Sequence, residues 1–171
     1  KNYYGVNIEL GSWPVSEKHG TSWQHADMPY QFKVFAIQEA REKGYTRILW
    51  CDSTIRVMLP VEPLWAQVKE HGILAWNNEG HSLEDWISDF AIDKLGGPNV
   101  IGWKQIMACC IMFDFTNKKC VEVFDKWLQG SINGSFYHDF SRNLNYKGSR
   151  HDQAYLSALM RLHNIPIQDY G

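Results

Sequence analysis

The run ILWCDSTIRV, residues 48–57, ends an apolar stretch on a carboxylate and two hydroxyls, Asp52, Ser53 and Thr54. Asp and Ser commonly close a strand by hydrogen-bonding the local backbone, so a simple turn accounts for all three. The same placement would also deliver a carboxylate to a ligand pocket at a strand end. Choosing between these readings requires the elements on either side.

Helical and extended patterns alternate along the chain. YYGVNIEL at 3–10 is β-branched and aromatic and predicts a strand. A turn-rich loop follows, containing His19 and His25. Phe32, Phe35, Ala36 and Ala40 recur at helical spacing and stop at Gly44. The apolar run over 46–52 predicts a strand buried on both faces. Further helices are expected over 61–72, 82–97, 117–130 and 152–163, with strands at 73–78 and 105–115. The segment 130–153 has no period and many turn residues, as functional loops do. A short last strand is expected near 165. Strands alternating with helices predict an α/β layer fold with a mainly parallel sheet. Ligands in such sheets bind beyond the carboxyl ends of the strands, where Asp52 would sit. The pocket reading gains weight accordingly.

Composition bounds the partners. The 171 residues are 44% hydrophobic and 21% charged, the balance of a soluble globular chain rather than a disordered one. Seventeen Lys and Arg against nineteen Asp and Glu give a net charge of −2 and no basic block. Nonspecific nucleic-acid binding therefore has no electrostatic support, although a local pocket for nucleic acid stays open. No apolar stretch reaches the ~20 residues that span a bilayer. Cys51, Cys109, Cys110 and Cys120 sit in apolar patterns without a C-x-x-C pair. Free thiols in a reducing, cytoplasmic compartment are expected.

Three segments in order resemble a bacterial and phage group of GT-A glycosyltransferases. MPYQFKVFAIQEAREKGYTRILWCDSTIRV is similar to that group's helix–strand–DxD unit. MACCIMFDFTNKKCVEVFDKWLQ is similar to its strand and helix, and RHDQAYLSALMRL to its C-terminal helix, together covering roughly residues 28–164. The resemblance implies one GT-A (Rossmann-like) domain over 1–171, with a mainly parallel mixed sheet flanked by helices. It also implies transfer of a sugar from a nucleotide-sugar donor to a glycan or other hydroxyl acceptor.

The same resemblance assigns roles. Asp52, Ser53 and Thr54 stand at the DxD position and would hold the donor. Lys33 and Arg150 would face its phosphates, and Gln153 and Asp89 would touch the sugar or acceptor. Asp152 would take the acceptor proton, or flank the anomeric carbon. Asp52 and His151 would hold Mn²⁺ or Mg²⁺, although Thr54 leaves the motif one carboxylate short, which argues against a metal. Each residue also has a plainer reading: Asp152 as a first-turn carboxylate favoured by the helix dipole, Lys33 as a solvated lysine, Gln153 as helix surface. Only one strand precedes the first helix, so either that strand serves as the family's first one or the sequence lacks an N-terminal strand of the family. The incomplete motif keeps a second function in view, a nucleotide-sugar or carbohydrate binder without turnover. A nucleotidyltransferase is disfavoured because no glycine-rich phosphate loop opens the chain.

Overall fold

The computed structural model describes residues 29–169, together with the backbone of two short strands near the start, β1 (Asn2–Tyr3) and β2 (Val6–Asn7), which pair antiparallel. The rest of the strand expected at 3–10 lies outside the described residues, as do His19 and His25.

Helix α1 (Gln31–Glu42) leads into strand β3 (Arg47–Cys51). Helix α2 (Leu64–His71) then leads into β4 (Ile73–Leu74) and β5 (Asn77–Ser82). A 3-10 turn at Leu83–Asp85 and helix α3 (Asp89–Lys94) follow. Strands β6 (Lys104–Ile106) and β7 (Cys110–Asp114) come next, then helices α4 (Lys118–Ile132) and α5 (His151–Leu162).

Among the described residues the expected parallel sheet is not there. The main sheet has three strands in the order β3-β7-β4, and β7 runs antiparallel to both neighbours. A separate two-stranded sheet pairs β5 with β6, also antiparallel. The fold is α/β with small antiparallel sheets, which overturns the GT-A expectation. The misreading has a physical source. Ile111 and Phe113 of β7 pack on the large core with Ile48 and Trp50 of β3, while Met112 and Leu49 face the opposite side. Alpha helices α1, α4 and α5 cover the first face, and α2 with Val68 covers the second. A strand buried on both faces is apolar at every position whichever way it runs, so the continuous pattern reported burial and not direction.

Two further elements differ from expectation. The apolar run 105–115 is two strands in two sheets, broken by a turn at Ala108 and Cys109. The helix expected over 82–97 divides at residues 86–88, where Ser88 caps α3 by accepting a hydrogen bond from Ala91 N. The final strand reduces to one parallel bridge between Trp76 and Gln168. All four cysteines are free thiols, as expected, with Cys51 and Cys110 facing each other across β3 and β7.

Helix α4 follows its amphipathic pattern, burying Cys120, Val123, Phe124 and Trp127. Phe124 meets Phe113 edge-on, and Trp127 stacks on Phe113 at 6.1 Å between centroids. Helices α4 and α5 pack closely at Gly130. A Cβ built there would lie 2.3 Å from Cε1 of the buried Tyr155 ring. In an open helix Gly→Ala adds about 0.5–1 kcal/mol of stability. Here the ring has nowhere to move, so Gly130→Ala is expected to destabilise by about 1–3 kcal/mol in urea denaturation. A stabilised Gly130→Ala protein would mean that the two helices are not held this close.

Candidate functional site

The site is assembled at four chain segments: the start of α1, the end of β3, the turn between β6 and β7, and the start of α5. Lys33 lies in the first turn of α1, on the face that also buries Val34 and Ile37, and is itself only 1% exposed. A buried ammonium must have its protons taken up, because desolvating an unpaired charge is prohibitive. Lys33 Nζ donates to the Ala108 carbonyl at 2.9 Å and to Asp152 Oδ2 at 2.9 Å. Asp52 Oδ1 lies 3.6 Å from the same nitrogen. The rings of Tyr30 and Trp50 flank it at 5.2 and 5.7 Å, each offering its negative face to the charge.

Asp52 leaves β3 and answers both readings of its sequence. Its backbone N–H donates to the Cys109 carbonyl at 2.8 Å, and its carbonyl accepts from Ile55 N at 2.9 Å, closing a turn. Its carboxylate accepts from Trp50 Nε1 at 2.7 Å. Trp50 and Asp52 are two apart, so they project to the same side of an extended chain. Ser53 and Thr54 are exposed in the turn and do not reach the cavity.

Helix α5 enters through Arg150 and His151, the latter at φ 42°, in the left-handed region. His151 Nδ1 donates to the Phe136 carbonyl at 2.6 Å, which leaves Nε2 as the ring nitrogen available to a ligand. Asp152 is 2% exposed, and its backbone carbonyl accepts from Trp127 Nε1 at 3.0 Å. Gln153 accepts from Ala108 N at 3.2 Å and donates to Gln105 Oε1 at 2.8 Å. Ser157 adds a bond to Ile106 N, so the start of α5 is stitched to β6 and to the turn after it. Arg150 lies over the Trp86 ring at 4.5 Å with its guanidinium exposed.

These groups open into one cavity of about 440 Å³, lined by Lys33, Asp52, Arg150, His151, Asp152 and Gln153, with Tyr30, Ala108, Cys109 and Ser149 completing the wall. Six of the candidate site residues therefore converge. Three do not: Ser53, Thr54 and Asp89. Asp89 accepts from the Ser141 hydroxyl and from Arg142, and fastens the long loop to α3 instead. Sequence reasoning missed Tyr30, Trp50 and the Ala108 carbonyl. Trp50 was findable from its i−2 spacing to Asp52; a backbone carbonyl carries no residue signature.

A divalent cation fits this set poorly. Asp52 and His151 share the cavity wall, yet the space between the two carboxylates holds the Lys33 ammonium. Among the described residues no three His, Cys, Asp or Glu side chains gather as metal ligands do.

Burial pushes the Asp152 carboxyl above its ordinary value, against the pull of the Lys33 charge and hydrogen bond, and Asp52 adds to the rise. Compared with family models, curated proteins and solved structures, the chain matches none. Among the described residues no helix is long and apolar enough to cross a membrane.

A carboxyl raised in the folded state holds its proton more tightly there than in the unfolded chain. Its contribution to stability is therefore present at low pH and declines as pH rises from the unfolded value through the folded one. The stability of the wild type relative to Asp152→Asn should fall across that window and then level. Carbon-13 titration of labelled aspartates should place Asp152 above 3.8, and Lys33→Met should move it further up. A value at or below 3.8 that ignores Lys33→Met would refute the electrostatic picture.

Proposed function

We propose that this protein transfers a sugar from a nucleotide-sugar donor to an acceptor hydroxyl. The observation that carries the reading is the meeting of two carboxylates, from the end of β3 and the start of α5, in one polar cavity. Sequence segments about 100 residues apart, each similar to a glycosyltransferase motif, thereby share a wall. The antiparallel sheet is no obstacle, because function resides in the site and not in the sheet that carries it.

The roles follow from geometry. Asp52 is the more accessible carboxylate, with a third of its side chain exposed, and accepts hydroxyl hydrogen bonds from ribose or sugar. Arg150 presents a planar guanidinium on the rim, suited to a phosphate. Lys33 spends two of its three N–H donors on Ala108 and Asp152 and lies 3.6 Å from Asp52, so it orients the carboxylates and does not grip the diphosphate. Gln153 has both ends of its amide engaged and shapes the wall. Asp152 takes the proton of the acceptor hydroxyl as its oxygen attacks the anomeric carbon. The bond from that carbon to the diphosphate breaks, and Arg150 steadies the departing charge. A raised carboxyl is a better proton acceptor than an ordinary one.

The burial of Asp152 at 2% exposure favours a second reading, a carbohydrate or nucleotide-sugar binder without turnover. Release of free sugar from donor separates the two, since a pure binder releases none. Donor binding itself is measured by titrating UDP- and GDP-sugars calorimetrically. Asp52→Asn should weaken the donor that binds by about 10–100-fold, the loss of a charge-assisted hydrogen bond. Binding unchanged in Asp52→Asn, or no nucleotide sugar bound by the folded wild type, would reject the proposal.

A further inference from the structure

The Lys33 ammonium is surrounded as a metal ion would be. Three oxygens face Nζ: Asp152 Oδ2 at 2.9 Å, the Ala108 carbonyl at 2.9 Å and Asp52 Oδ1 at 3.6 Å. Two carboxylates and a carbonyl are a hard-cation donor set. The two rings at 5.2 and 5.7 Å also favour positive charge at this point. The lysine side chain is 2% exposed, so the seat is filled from within the protein, while its outer side opens to the cavity where water can enter.

We infer that Lys33 is a resident cation in a latent divalent-metal seat, so that the wild-type protein works without a metal and binds one only when the ammonium is removed. The charge balance supports this. With Lys33 present, one ammonium faces two carboxylates, and a divalent ion would have to approach the ammonium at contact distance, where like charges repel strongly at low dielectric. Without Lys33, two carboxylates and a carbonyl surround a void connected to water. Manganese and calcium bind oxygens at about 2.1–2.6 Å, so the Asp52 carboxylate must move inward by about 1 Å. Asp52 is placed to do so, because its side chain is partly exposed and stands on a turn. The seat itself follows from geometry alone; its consequence for donor binding rests on the sugar-transfer reading.

The test is manganese uptake by the nucleotide-free protein, read from the paramagnetic resonance signal of the free aqueous ion. Wild type should leave that signal at its protein-free intensity through millimolar concentrations. Lys33→Ala should take up one ion at least ~10-fold more tightly, in the range of two-carboxylate sites, and gain thermal stability with added manganese. Lys33→Ala/Asp152→Asn should lose that uptake. One tight ion on wild type, lost in Asp52→Asn, overturns the inference, and so does a folded Lys33→Ala protein that binds none. If Lys33→Ala folds only with manganese present, the seat is supported. If it folds in neither condition, Lys33→Ser and the wild-type titration decide by the same criteria. A parallel donor titration should give the same affinity in EDTA as in manganese. A donor that binds only with manganese overturns the inference and spares the transferase reading. Absence of any nucleotide binding rejects the transferase reading, while the manganese titration still decides the seat.

Discussion

A lysine ammonium placed inside a protein must find oxygens, and in this chain it draws together segments that are distant in sequence. Lys33 reaches the Ala108 carbonyl, the Asp152 carboxylate and the vicinity of Asp52, so that α1, β3, the β6–β7 turn and α5 meet at one nitrogen. Removing one partner of such a pair leaves an uncompensated buried charge, which is why a breach here is felt well beyond the pair. The cavity beside it is polar because these charges line it, and it has its shape because they cannot part.

The hydrophobic frame makes this placement possible. The three-stranded sheet is covered on both faces, by α2 on one side and by α1, α4 and α5 on the other. Phe113 and Trp127 tie β7 to α4, and the Trp127 indole N–H holds the backbone at Asp152. The core and the site therefore share a residue. Lengthening of the α4–α5 contact would be transmitted directly to the carboxylate that Lys33 holds.

Much of the local structure was legible in the sequence. Helices α1, α4 and α5 and strand β3 form where spacing places them, since each carries its own apolar stripe or run. Strand direction was not legible, because a strand covered on both faces looks the same in either orientation. The break at Ala108 and Cys109 was hidden inside an apolar run, although those two residues form the turn that supplies the site with carbonyls. For the site, Asp52, His151, Asp152, Arg150, Gln153 and Lys33 converge, while Ser53, Thr54 and Asp89 serve a turn and a loop anchor. A lysine in an amphipathic helix reads as solvated until the whole buried face is known. Its true environment is set by partners 75 and 119 residues away, beyond the reach of any local pattern.

Energetic coupling between Lys33 and Asp152 holds the site together. A double-mutant cycle with Lys33→Met, Asp152→Asn and the pair, followed by urea denaturation at neutral pH, measures it directly. Each single substitution should lower stability by about 3–5 kcal/mol, and the double should lose less than their sum by about 1–3 kcal/mol. Losses that add to within ~0.5 kcal/mol would show two independent side chains and would contradict the account at its base.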